Sequence, residues 1–239
     1  MRLRHITFTG IDARTDLREL QAIQQQYPLA EFGVLTSYHW IENGNRYPNP
    51  QFLPNLWGSS LNLSLHLCGS AAHDAAVGEW QKIQEHVIGT LNIFKRIQLN
   101  IANRQDNPMK ASLPGIGMNG QEIIIQQRSI SDLAVYLYSV QQRCDPDRFS
   151  VLLDSSGGQG IDTPVEILKG DNKVGYAGGI SPDNVADKLT YLFENVRDGE
   201  FWIDMESGVR TDDWFDTAKV RRVLEICEPI IKEYSNKEG

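Results

Sequence analysis

The chain has 239 residues, 41% of them hydrophobic and 23% charged, the balance of a globular protein with a sizeable core. Its net charge of −8 argues against a general nucleic-acid or anionic-membrane surface, and no apolar run approaches the roughly 20 residues of a membrane-spanning helix. Cys68, Cys144 and Cys227 form no CxxC pair, and "MRLRHITFTG" has no apolar signal core, so a reducing, cytoplasmic setting is expected.

Short apolar segments recur along the chain with helix-like stretches between them. They are residues 4–10, 31–37, 61–67, 96–101, 122–127, 149–154, 173–179 and 200–205. Helical spacing follows the first in "DLRELQAIQQQY", the third in "GEWQKIQEHVIGTLNIF" and the fifth in "SDLAVYLYSVQQR". After the seventh, "SPDNVADKLTYLFENV" opens with a capping Ser181 and Pro182 at the first helical position. "DTAKVRRVLEICEPIIKEY" follows the eighth. The stretches 38–60 and 102–120 are too rich in irregular-structure residues for regular helix and are expected as loops on one face.

Eight strand-like segments alternating with helical ones predict a single (β/α)8 TIM barrel over residues 1–239. An open doubly wound sheet is the competitor, but "TGIDARTD" after the first strand is not the glycine-rich dinucleotide turn. In a barrel the functional residues stand at the C-terminal strand ends. Those positions are Thr9, Asp12, Ser37, His66, Asn100, Gln127, Asp154, Gly178, Asp204 and Glu206. The loops after strands seven and eight carry Gly178 and Gly179, then Ser207 and Gly208. Glycines let backbone amides close on phosphate oxygens, although Gly-Gly also serves as a plain tight turn.

Three motifs, "LLDSSGGQGID", "AGGISPDNV" and "WIDMESGVR", together resemble phosphoribosylanthranilate isomerase of tryptophan biosynthesis. That family shows Leu-Leu-Asp before Gly-Gly-x-Gly, then Ala-Gly-Gly-x-x-Pro-x-Asn-Val, then Asp-x-x-Ser-Gly-Val. The resemblance implies a single (β/α)8 barrel performing an Amadori rearrangement of a phosphorylated aldose amine to a ketose, without a cofactor or metal. It also implies a small phosphorylated or anionic partner, bound by a monomer or homodimer. Asp154 takes the place of the general acid, which burial would have to keep protonated at neutral pH. Gly157, Gly158, Gly178, Gly179, Ser207 and Gly208 take the phosphate-binding places. "IQLNI" aligns Gln98 and Asn100 with a Gln-Leu-His strand end, and Arg46 in "GNRYP" with an arginine after strand two.

At two places this chain departs from the family. The strand-one cysteine, the family's base, is Thr9 here, and a lone threonine hydroxyl has no accessible anion near pH 7. Glu206 puts a carboxylate in the phosphate loop, to be relieved by pairing with Arg210 or by pointing away. His66 is a substitute base on one reading and a backbone-bonded core histidine on another. Arg46 and Arg128 are candidates to grip an anionic group, and Asp204 either contacts ligand or holds loops. Trp40, Tyr47 and Trp57 either cover a planar ligand or anchor the long loop. A non-catalytic barrel that binds a small anionic metabolite is the second functional reading.

Overall fold

The computed structural model describes residues 2–40, 44–101, 120–131, 146–170 and 173–237. The expected loop 102–120 and helix 131–143 lie almost wholly outside them. Eight parallel strands close on themselves in chain order. They are β1 (Arg2–Thr9), β2 (Ala30–Thr36), β3 (Leu63–Cys68), β4 (Arg96–Asn100), β5 (Glu122–Gln127), β6 (Phe149–Asp154), β7 (Lys173–Ala177) and β8 (Glu200–Met205). The protein is a (β/α)8 barrel, closed by the pairing of β1 with β8.

Helices pack outside. α1 (Leu17–Gln26) follows β1, while α2 (Ser70–Ala76) and α3 (Trp80–His86) follow β3. α4 (Val185–Asn195) follows β7 and α5 (Thr217–Ser235) follows β8. Asp16 and Asp216 start α1 and α5 by accepting backbone amides, as a short acidic N-cap does. The segment expected as one helix over 78–94 breaks instead: Ile88 and Gly89 take positive φ, and a 3-10 turn Thr90–Ile93 follows. A β-branched residue at positive φ is strained, and Gly89 beside it carries the reversal without a steric cost. Ser181 caps one turn ahead of α4, with its Oγ accepting from Asp183 N and its carbonyl from Val185 N.

Strand side chains alternate, so the β-strands feed two cores. Outward residues such as Phe8, Val34, Leu65, Leu99 and Ile125 pack under the helices. Inside the barrel Ile124, Leu152 and Trp202 form a small apolar plug. Trp202 fits because its neighbour on β7 is Gly175, where any Cβ would collide with the indole. Above and below this plug the barrel interior is polar. Among the described residues no helix is long and apolar enough to cross a membrane.

Candidate active site

At the C-terminal ends of the strands opens a cavity of about 360 Å³. Its wall includes Thr9, His66, Gln98, Asn100, Asp154 and Asp204. Gly157, Gly158, Gly178, Gly179, Ser207, Gly208, Arg46 and Glu206 complete the sequence-predicted part of it. Barrel closure brings together residues as far apart in sequence as Thr9 and Asp204, 195 residues from each other. Asp12, Ser37 and Gln127, also at strand ends, are not on this wall. Arg128 is exposed and lies outside it, its guanidinium against Gly157.

Asp154 ends β6 at 5% exposure. It accepts from Gln126 Nε2 at 2.7 Å, Ser156 Oγ at 2.7 Å, Ser156 N at 3.2 Å and Gly158 N at 2.7 Å. The glycine-rich sequel thus clamps the carboxylate, as Asp side chains do with amides two and more residues on. Gln126 was not anticipated. The inward phase of β5, where Ile124 and Gln126 alternate with outward Ile125, is the signal that marks it over Gln127.

Thr9 is not alone. Its Oγ1 donates to Asp204 Oδ1 at 2.7 Å, and both residues are buried. Burial, the largest influence, pushes the Asp204 carboxyl up to about 7; Glu31, Glu206 and Asp154 add to this, and the Thr9 hydroxyl opposes it. His66 Nδ1 stands 4.0 Å from Asp204 Oδ2, and its Nε2 meets Ser64 Oγ at 3.0 Å. Burial pushes this imidazole down to about 4, so it is neutral at pH 7 and a weak base. Cys68 also lines the cavity, but burial pushes its thiol up to about 11. Asn100 takes Gln98 Nε2 at 2.9 Å and donates to Cys68 Sγ at 3.2 Å, and Gln98 Oε1 is buried without a partner among the described residues. His73 Nδ1 lies 3.6 Å from Asp74 Oδ1, and no group of three His, Cys, Asp or Glu among the described residues is arranged to hold a metal ion.

Glu206 pairs with Arg46 Nη1 at 2.7 Å rather than with Arg210. Arg46 Nη2 also reaches Asp213 at 3.0 Å. Asp213 is held there by a tight antiparallel hairpin of Arg210–Thr211 with Trp214–Phe215. Its two turn residues, Asp212 and Asp213, both take positive φ, the geometry of a two-residue hairpin loop. Arg210 is spent elsewhere, on Gly10 O, Asp12 and Asp213 O. Burial leads in raising the Glu206 pKa, with Arg46 and Arg210 opposing.

The glycine-bearing loops meet closely. A Cβ on Gly208 would strike Ile180 O, and one on Gly179 would strike the backbone of Ile161 and Asp162. Backbone packing therefore accounts for both glycines. No acceptor among the described residues takes the amides of Gly178, Gly179, Ser207 or Gly208. Of the loop aromatics only Tyr47 lines the cavity; Trp57 is 55% exposed and Trp40 lies off the wall.

Residues 118–226 match the family model of N-(5'-phosphoribosyl)anthranilate isomerase, the stretch that holds all three motifs. The phosphoribosylanthranilate isomerase of Thermococcus kodakaraensis is similar in structure, with a TM-score of 0.54 at 14% identity. That of Pyrococcus furiosus has a TM-score of 0.53 at 17% identity. Each similarity covers 94% of this chain and 98% of the other. No curated protein matches the chain. The chain is thus a phosphoribosylanthranilate-isomerase-like barrel, as its motifs indicate.

Proposed function

We propose that this barrel is an isomerase that converts a phosphorylated aldose amine to the corresponding amino-ketose by an Amadori rearrangement. The observation that carries the reading is the shared wall of one cavity. Clamped Asp154, the Thr9–Asp204 pair and the amide-bearing loops after β7 and β8 all face it. Asp154 stands where the resembling family has its acid, and serves to protonate the ring oxygen so that the C1–O bond opens. Gln98 and Asn100 offer side-chain amides to sugar hydroxyls.

The phosphate is assigned to the amides of Gly178, Gly179, Ser207 and Gly208. Charge is the obstacle, because a bare carboxylate about 4 Å from a dianion costs roughly 4–8 kcal/mol at an intermediate effective dielectric. The Arg46–Glu206 ion pair offsets most of that. Isothermal titration with ribose 5-phosphate tests this part, and no binding at millimolar concentration would count against it.

The decisive experiment for the reaction is growth of a tryptophan auxotroph lacking the isomerase, paired with turnover of N-(5'-phosphoribosyl)anthranilate by purified protein. Growth and turnover are expected. A barrel that only binds a small anionic metabolite is favoured by one observation, the hydroxyl of Thr9 in place of a strand-one thiolate. Binding without turnover is the result that would establish it.

A further inference from the structure

An isomerase of this kind needs a base for the sugar C2 proton, and the usual candidates here are poor. Thr9 has only a hydroxyl, the Cys68 thiol is pushed up to about 11, and the His66 imidazole is pushed down to about 4. One carboxylate remains in contact with the strand-one position. β1 and β8 pair in a register that sets Thr7 beside Asp204, and Thr9 Oγ1 then reaches Asp204 Oδ1 at 2.7 Å. The other oxygen, Oδ2, has no hydrogen bond among the described residues, and Asp204 lines the cavity.

Resting on the isomerase reading above, we propose that Asp204 is the base for the C2 proton and that Thr9 is the residue that positions it. After ring opening the substrate carries an iminium at C1. Asp204 takes the proton from C2, the C2–H electron pair becomes the C1=C2 bond, and the iminium π pair returns to nitrogen. C1 then regains a proton as the 2-hydroxyl gives one up, leaving a C2 ketone. Nothing is oxidised or reduced overall, and no co-reactant is needed.

The surroundings suit that task. Among the described residues, the groups whose charge acts on Asp204 are His66 from β3, Asp154 from β6, Glu206 beyond β8 and, from the layer below, Glu31 of β2. Three are carboxylates and His66 is neutral, so among the described residues no cation pairs with the ionised form. A base whose pKa lies near the working pH is more effective than an ordinary carboxylate while still mostly ionised above it. Thr9 counteracts part of the burial by donating to the charged form.

The test is the pH dependence of kcat for N-(5'-phosphoribosyl)anthranilate with wild-type, Asp204→Asn, Thr9→Val and Thr9→Ser proteins. Wild type should lose activity as pH falls through about 7. Asp204→Asn should lower kcat on the order of 10²–10⁴-fold and abolish that limb. Thr9→Val should lower maximal kcat, though less than Asp204→Asn does, and move the limb to higher pH, because the donor that favours the carboxylate is gone, and Thr9→Ser should restore both. A merely structural threonine would leave the limb where it was. Active wild type with equally active Asp204→Asn would sink the base alone. Inactive wild type would sink the isomerase reading, and the base with it. Should Asp204→Asn not fold, carbon-13 titration of Asp204 in wild type decides: a midpoint near 7 supports the assignment, one below 5 overturns it.

Discussion

The polar layers at the two ends of the barrel interior are built from the same residue types and behave oppositely. At the N-terminal end, Arg96 Nη1 meets Glu31 Oε1 at 2.8 Å, and Arg4 grips Glu122 through two bonds of 3.0 and 2.7 Å. Thr7 and Ser150 add donors to these carboxylates, and the Arg96 guanidinium stacks 4.1 Å over Trp202. Burial pushes Glu31 and Glu122 up, yet Arg96, foremost among the opposing influences, leaves both below the ordinary range. At the C-terminal end three carboxylates, Asp154, Asp204 and Glu206, share a wall with one cation among the described residues, Arg46. There burial wins, and Asp204 and Glu206 rise. Compensated charge makes scaffold; uncompensated charge makes a group that titrates where chemistry happens.

The largest expected effect tests the reactive end. Asp154→Asn keeps the size of the side chain but cannot supply a proton, so turnover of an identified substrate should fall on the order of 10²–10⁴-fold. Full activity in this variant would break the comparison at its active half.

The opposite signature belongs to the other end. Arg96→Met leaves Glu31 buried at 2% exposure without its cation, and breaking a buried pair from one side costs about 3–5 kcal/mol. Urea unfolding should show that loss, while kcat, measured well below the melting temperature, stays within a few-fold of wild type. Arg96→Met with Glu31→Leu should recover part of it, because the orphaned charge is then gone.

Asp204→Asn sharpens the contrast by a stability gain. A carboxyl raised in the folded state from the ordinary 3.8 to about 7 favours folding least once the pH exceeds both values. Below about 4 both states hold the proton and nothing is lost. Between about 4 and 7 the unfolded chain ionises first, and the loss grows with pH; at about 1.4 kcal/mol per pH unit it reaches roughly 4 kcal/mol. Asn removes the ionisation, so the variant should be more stable than wild type at pH 8 and nearly equal to it at pH 4. Equal stabilities at both pH values would show that Asp204 is not a strained acid.

Much of this architecture was legible in the sequence, because each strand is a short apolar run bounded by turn residues. All eight lie within about two residues of the places read from pattern. What pattern could not see is contact across the closed barrel. Thr9 and Asp204 are 195 residues apart, Arg46 and Glu206 160 apart, and each pair depends on strand register or hairpin geometry. Arg210 was the natural partner for Glu206 by proximity in sequence, yet the hairpin and Gly10 O claim it. The break at Ile88–Gly89 escaped for a local reason, since apolar residues at helical spacing continue straight through it.

The smallest expected effect concerns the later part of the long loop after β2, residues 50–57, which the comparison assigns to neither end. Its aromatic residues divide in the structure: Tyr47 lines the cavity, whereas Trp57 stands 55% exposed beyond the short helical turn Pro50–Leu56. That turn is anchored by Leu53 and Leu56, each 1% exposed, so the loop does not depend on the indole for its seat. Trp57→Ala should therefore change stability by less than about 0.5 kcal/mol and leave KM unchanged. Leu53→Ala, which opens a cavity under the same turn, should cost about 2–5 kcal/mol. A rise in KM for Trp57→Ala at unchanged stability would mean that the indole folds over bound substrate, and would move residues 50–57 to the reactive side with Arg46 and Tyr47.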